Sequence, residues 1–497
     1  MKLNFKEYKD KVYACWIGKN IGGTMGTPYE GKREVLDVKG FATAPGEPLP
    51  NDDLDLQLVW LHAMEQEGPY RLDCKKLGEY WLSLVSPFWN EYGTGKANMR
   101  HGLLPPLSGD YDNSWKHSNG AWIRTEVWAS MAPGCPDIAA KYAIEDACVD
   151  HGAGEGTFAA AFVAAMQASA FVITDIRKCI DVALAAIPAD CRVGSTVRKV
   201  LECYDNGVPV LDCRNTVLEM NADIGTGWFE APSNVGYTVL GLVYGEGDFK
   251  KSMIYAVNCG DDTDCTAATV GATLGILGGS AAIPQDWKEY IGDRIITMSI
   301  AQGIIRNLPD TCTKLTERVV KMAPVVLLAN NAKMAIVAEE SEITETELPT
   351  ADTVASVHKR LCALKPYQFE IEGDLFSVRV TYDRSPDIAP GDELGVTLTF
   401  LHRTQERDRR NTGYLGCVPY NLNLRWWLPE GFTVEGKKST LLYHTNSREG
   451  HPGRVPRKEI RCVIRAGEQV EAINRLVLEV MTDGRPAAVY VPMVLLG

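Results

Sequence analysis

Apolar positions Phe5, Tyr8, Val12, Cys15 and Trp16 recur at the three-and-four spacing of a helix. Gly22-Gly23-Thr24-Met25-Gly26 reads as the end of that helix and leads into Pro28-Tyr29-Glu30. A second helical pattern starts at Asn51-Asp52-Asp53 and runs through LDLQLVWLHAM. Alanine-rich segments continue to about residue 338 with almost no period-two alternation, which predicts an all-α domain over residues 1–338. Residues 339–366 open with the acidic, threonine-rich EESEITETELPT and read as a linker. Beyond Tyr367 the period becomes two: Phe376, Val378, Val380 and Tyr382 alternate with polar neighbours, as do Val396, Leu398 and Phe400, then Leu422, Leu424, Trp426 and Leu428. With turn signals at Pro429-Glu430-Gly431 and Asp483-Gly484, residues 367–497 predict a small all-β sandwich.

Two stretches are apolar enough to suggest membrane spans, residues 157–174 and 265–283, and the second carries the pair Gly271 and Gly275. Both are built from Ala, Gly, Ser and Thr rather than Leu and Ile, and neither has basic flanks. Helices apolar all round then read as core helices. Lys and Arg total 51 against 64 Asp and Glu, a formal charge of −13, which disfavours nucleic acid and anionic membranes as partners. The 14 Cys show no CxxC pair, so a structural zinc site is not expected. The polar start MKLNFKEYKDKVYACWIG is unlike a secretory signal, and scattered thiols suit a reducing, cytoplasmic setting.

The charge pattern raises one pointed question. Asp261, Asp262 and Asp264 crowd the start of a long uncharged segment, and Asp52, Asp53 and Asp55 crowd another predicted helix start. A single Asp would be explained as an N-cap worth about 1 kcal/mol. Three are not, because two carboxylates about 4 Å apart repel by roughly 4 kcal/mol at an effective dielectric of 20. Hard oxygen ligands in clusters suit Mg²⁺, Mn²⁺ or Ca²⁺. The run Asp262-Thr263-Asp264-Cys265-Thr266 also fits the DxDxT of haloacid-dehalogenase-type phosphatases, but that motif follows a β-strand and this region looks helical. Asp52 and Asp55 share a helix face, as aspartates do in terpene synthases, without the DDxxD spacing.

In order along the chain stand Gly22-Gly23-Thr24-Met25-Gly26-Thr27-Pro28-Tyr29-Glu30, Asn51-Asp52-Asp53, Asn119-Gly120-Ala121-Trp122-Ile123-Arg124, Asp150-His151-Gly152 and Gly260-Asp261-Asp262-Thr263-Asp264-Cys265. This series resembles the ADP-ribosylglycohydrolase family, whose members read GDALGAPVE, TDDT, NGAAMR, a His at a helix start and GGDTDT. The resemblance covers roughly residues 8–330 and does not extend to the β-rich tail.

The resemblance implies an all-α domain with two Mg²⁺ in a cleft, Mn²⁺ being an alternative ion. By position Asn51, Asp52, Asp53, Asp262, Asp264 and Cys265 correspond to metal-site residues, with Glu30 beside the ions. Glu30 and Asp53 become the candidate catalytic carboxylates, and Glu30, Asn119, Gly120 and His151 the candidate substrate contacts. Two departures stand out: Asn51 and Cys265 occupy positions where the family has Thr, and a thiol is a poor ligand for Mg²⁺. Cys265 is not read as a nucleophile, because neighbouring negative charge disfavours the thiolate. The implied activity is Mg²⁺-dependent hydrolysis of an ADP-ribosyl or related ribosyl bond, the substrate being free or protein-linked. Two alternatives are hydrolysis of another N- or O-glycoside without ADP, and a non-catalytic ADP-ribose or glycan binder that reaches a protein partner through the β-domain. Trp228 and Phe229 could stack on a base, or simply fill the core. One of Trp426 and Trp427 could line a binding face of the sandwich.

Overall fold

The computed structural model describes residues 1–301, 303–403, 420–442, 457–485 and 488–497. The chain divides into two compact units, one of Met1–Lys96 with Asp112–Leu364 and one of Ala97–Tyr111 with Lys365–Gly497. The first is helical and the second is built of antiparallel sheets.

In the helical unit a short parallel pair, β1 (Lys2–Asn4) and β2 (Ala335–Val337), joins the two ends of the unit. Asn4 caps the first helix, Phe5–Gly26, by accepting from the backbone of Lys6 and Glu7. From Val12 onward that helix is buried almost all round, which is why it shows no clean apolar stripe. The glycines expected to end it lie inside it. Gly18, Gly22 and Gly26 share one face, and a methyl on each would collide with the backbone of Gly271, Ala267 and Asp264 respectively. Those partners belong to the Thr263–Gly278 helix, so two backbones run in contact where side chains would hold them apart. Here glycine serves close approach rather than chain reversal.

The two span-like stretches form the helices Glu155–Ala170 and Thr263–Gly278, both buried in the unit. At 16 residues each they reach about 24 Å, short of the roughly 30 Å of a bilayer's hydrocarbon. Among the described residues no helix is long and apolar enough to cross a membrane. Residues 339–364 fall within the helical unit and carry two short turns and the Ala355–Ala363 helix.

The second unit is a β-sandwich. One sheet takes the order β3 (Gln368–Glu372), β4 (Phe376–Tyr382), β5 (Glu393–His402), β9 (Arg457–Arg465), β7 (Thr433–Glu435). The other takes β11 (Ala488–Leu496), β10 (Ile473–Thr482), β6 (Tyr420–Trp427), β8 (Ser439–Leu442). The alternating residues point inward as the period-two pattern requires: Val378 faces Phe400 and Val380 faces Leu398 across one pair, and Leu422, Leu478 and Val491 fill the core from the other sheet. Asp483-Gly484 follows β10 on the way to its antiparallel partner β11, with Gly484 at φ 76°. Leu103 and Leu107, from the first quarter of the sequence, complete this core. Trp426 packs against it, whereas Trp427 is 48% exposed beneath Arg425 and donates to Glu479 at 2.9 Å.

Candidate metal centre

Two helix starts distant in sequence meet in the helical unit. Asn51 caps the Asp52–Glu67 helix, its Oδ1 accepting from Asp53 N at 2.7 Å, and places Asp52 and Asp53 in the first turn. Asp262 occupies the cap position of the Thr263–Gly278 helix and Asp264 its first turn. The glycine contact fixes that helix against the first, and Asn51 Nδ2 donates to Asp264 Oδ2 at 3.1 Å, tying the two starts together. A third element enters through backbone pairing. Gly31 N donates to Asp261 O at 2.8 Å and Asp261 N to Lys32 O at 2.7 Å, which holds Glu30 at the mouth of the cluster.

One oxygen each from Glu30, Asp262 and Asp264 lies within 4.8 Å of the others, and Asp53, Asp264 and the Cys265 sulfur form a second such group. Asp264 belongs to both. The remaining acids of the two knots have other duties. Asp261, at φ 68°, accepts from Phe229 N and Asn234 Nδ2, both at 3.3 Å. Asp55 Oδ2 accepts from Met298 N and Ser299 N, both at 2.6 Å. Asp52 accepts from the Tyr92 hydroxyl at 2.8 Å.

Crowding these carboxylates out of water disturbs them all. Burial, then the charges of Asp52 and Asp53, pushes the Glu30 carboxyl up to about 7; Glu30 is exposed along its outer edge, with its carboxyl turned toward the acids. Burial, then Glu30, pushes Asp264 to about 7, and burial, then Asp264 and Glu30, raises Asp262 well above the usual carboxylate range. Burial also lifts Asp53, against the pull of Lys19. Protons or a cation must relieve such a cluster. Asp262 Oδ1 and Asp264 Oδ1 are buried with no hydrogen-bond donor among the described residues. Unpartnered hard oxygens converging at this spacing fit a divalent cation, with Glu30, Asp53, Asp262, Asp264 and Cys265 as the side chains able to hold it.

Asn119 and Gly120 stand beside this set. Asn119 Nδ2 donates to Asp262 Oδ2 at 2.6 Å, and its Oδ1 accepts from Trp122 Nε1 at 2.9 Å. Gly120 N donates to Glu91 Oε1 at 3.1 Å. His151 is fully buried, with Nδ1 2.9 Å from Asp150 Oδ1 and Nε2 3.4 Å from Ser118 Oγ. His151 thus belongs to a buried network that Arg124 anchors. Arg124 donates to Gly120 O, to both Asp150 oxygens and to Asp146, with its guanidinium 4.4 Å from the Trp81 ring centroid.

Several participants carry no obvious sequence signal. Lys19 reaches from the first helix to Asp53 and Glu126, both at 3.2 Å, and donates to Ile123 O at 2.7 Å. Burial alone would lower its pKa, but Glu126 and Asp53 raise it, so the ammonium stays charged. Glu126 is held in turn by Gln57 at 2.6 Å and Gln167 at 3.0 Å. Lys19 is the one cation between Lys11 and Lys32, and that isolation was its available clue. Glu91, Tyr92 and Asn234 offered none. Trp228 is exposed beside Arg33, while Glu230 is buried and accepts from Thr226 N and Gly227 N, closing the preceding turn.

Asp262 follows the Phe249–Asn258 helix rather than a strand, so the DxDxT reading lacks its structural setting. The sequence pattern described as ADP-ribosylglycohydrolase matches residues 5–323. The chain belongs to the ADP-ribosylglycohydrolase family. Membership places it among hydrolases of glycosyl bonds, a family generally dependent on metal. A solved structure titled "ADP-ribosylglycohydrolase-related protein complex" is similar at 21% identity, with a TM-score of 0.42, over 65% of this chain and 98% of that one. The FixG-related protein from Vibrio parahaemolyticus is similar at 16% identity, with a TM-score of 0.18, over 25% of this chain and 97% of that one. Both scores are too low for a shared fold to follow from them. Among curated proteins none matches the chain. In this ADP-ribosylglycohydrolase family member the matched stretch contains every residue of the two candidate cation groups.

Proposed function

We propose that this protein is a divalent-cation-dependent hydrolase that releases an ADP-ribosyl group by cleaving its glycosidic bond at the anomeric carbon. The observation that carries the reading is the pairing of Glu30, Asp262 and Asp264 with Asp53, Asp264 and Cys265 beside buried carboxylate oxygens that lack donors among the described residues. Mg²⁺, or Mn²⁺ in its place, would supply orientation of the ribose hydroxyls and acidification of water.

The side chains do the rest. Glu30, at the open edge of the cluster, accepts the proton of the attacking water. The water oxygen forms the new bond to the anomeric carbon as the bond to the leaving atom breaks, and the leaving atom keeps the electron pair. Positive charge grows on the sugar in such a displacement. Asp53, held by Lys19, and Asp52, held by Tyr92, supply negative charge without having to reorient. Asn119 and Gly120 flank the cluster and position the substrate, and His151 keeps the Asp150–Arg124 network behind Gly120 in register. The protein's own net charge of −13 favours a substrate whose phosphates are met locally by cations over an extended polyanion.

Peptides carrying ADP-ribose on arginine or on serine, together with O-acetyl-ADP-ribose, test the reading when incubated with metal-loaded and metal-stripped protein. Metal-dependent release of ADP-ribose that disappears in Asp53→Asn is the expected result. Turnover of simple nucleosides with no turnover of any ADP-ribosyl substrate would assign a smaller glycoside instead.

A further inference from the structure

Cys265 is 5% exposed, and its sulfur is engaged with acidic side chains. It donates toward Asp53 Oδ2 at 3.3 Å and lies with Asp53 and Asp264 in a triad whose ligand atoms are all within 4.8 Å of one another. The other triad, Glu30, Asp262 and Asp264, offers oxygen alone. Asp264, the residue the two triads share, has a buried Oδ1 with no hydrogen-bond partner among the described residues. Cys265 sits in the first turn of the 16-residue Thr263–Gly278 helix, next to Asp264, so one helix start carries both the sulfur and the carboxylate of this triad.

On the metal-centre reading above, we infer that the two cation positions differ in kind: a hard, all-oxygen position at Glu30, Asp262 and Asp264, and a thiolate-bearing position at Asp53, Asp264 and Cys265 that selects a softer ion such as Zn²⁺ or Co²⁺ over Mg²⁺. Thiolate ligation favours these ions strongly, whereas carboxylate oxygens suit Mg²⁺. Three protein ligands are the number found in zinc sites that work on substrates rather than hold a fold. On binding, the S–H bond of Cys265 breaks, the sulfur bonds the ion and the proton passes to solvent, releasing Asp53 Oδ2 from its hydrogen bond to point at the same ion.

The test is titration of metal-stripped, full-length protein with Co²⁺, read by near-ultraviolet absorbance and by ultrafiltration of bound metal. The expected result is a saturable sulfur-to-cobalt charge-transfer band that is absent in Cys265→Ser, whose Mg²⁺ binding is kept. Its Co²⁺ affinity should fall by roughly 10–100-fold or more, the range that loss of a residue merely hydrogen-bonded to a ligand already causes. Retained Co²⁺ without the band, or a band unchanged in Cys265→Ser, would overturn the thiolate position and leave a metal centre of oxygen ligands. Wild-type protein that retains neither Co²⁺ nor Mg²⁺ would overturn both this inference and the reading it rests on. Cys265→Thr, checked by circular dichroism, serves if the serine variant does not fold.

Discussion

Asn51 and Asp264, 213 positions apart in sequence, are joined by a hydrogen bond of 3.1 Å from Nδ2 to Oδ2. The same Asn51 caps its own helix through Oδ1, so one side chain fixes both helix starts that form the cluster. Its amide oxygen is used in the cap, which makes Asn51 a fastener between ligand-bearing elements. Asn51→Ala removes both bonds. It should destabilise the protein by about 0.5–2 kcal/mol, the usual loss at a cap, in denaturant melts. Mg²⁺ affinity measured by calorimetry should fall in the same variant.

Lys19 is 1% exposed and sits between Asp53 and Glu126. Removing one partner of a buried ionic group leaves uncompensated charge, typically about 3–5 kcal/mol. Lys19→Met should lose stability in that range by urea denaturation. Glu126→Gln should lose less, because Lys19 keeps Asp53 and the Ile123 carbonyl, and a glutamine still accepts from one of Gln57 and Gln167. Equal losses would contradict the role given to Lys19.

Gly22 has no room for a methyl against Ala267, since the obstacle is backbone rather than a movable side chain. Gly22→Ala should therefore cost about 1–3 kcal/mol in thermal or chemical melts despite the better helix propensity of alanine. Gly207, at φ 68° with open space around it, makes a contrasting control in which any loss comes from the backbone conformation alone.

Asp150 carries a pH signature. Burial alone would raise its carboxyl, but Arg124 and His151 outweigh that and hold it at about 2, below the ordinary 3.8. A depressed carboxylate contributes stability that is fully present above the unfolded value and is lost as pH falls toward the folded one. The contribution is on the order of 2 kcal/mol. The stability gap between wild type and Asp150→Asn should thus be constant above about pH 5 and narrow between about pH 4 and 2. A gap that widens on acidification would contradict this assignment.

The division into helical and β-rich parts was legible because period and composition change together near residue 367, and burial follows the alternation at Val378, Val380 and Leu398. The two acidic starts were legible because like charges so close in sequence need a reason. Other features were not. Gly22 and Gly26 looked like a helix end because sequence does not show which backbone faces a glycine. Lys19, Arg124 and Glu126 work through partners many positions away, and a buried ion pair leaves no periodic trace. Leu103 and Leu107 lie inside an otherwise helical stretch, and nothing local to them points to a core built from residues beyond 365.

Calorimetric titration of ADP-ribose into metal-stripped protein, repeated with Mg²⁺ and with Mn²⁺ and with Asp262→Asn beside the wild type, tests the central claim most directly. Asp262 carries a buried oxygen without a donor among the described residues and accepts from Asn119 through the other, so the substitution alters the cluster directly. The expected result is binding that requires the cation and is lost in Asp262→Asn. Intact cation binding with no heat from ADP-ribose would contradict the ADP-ribosyl assignment and point to a smaller glycoside.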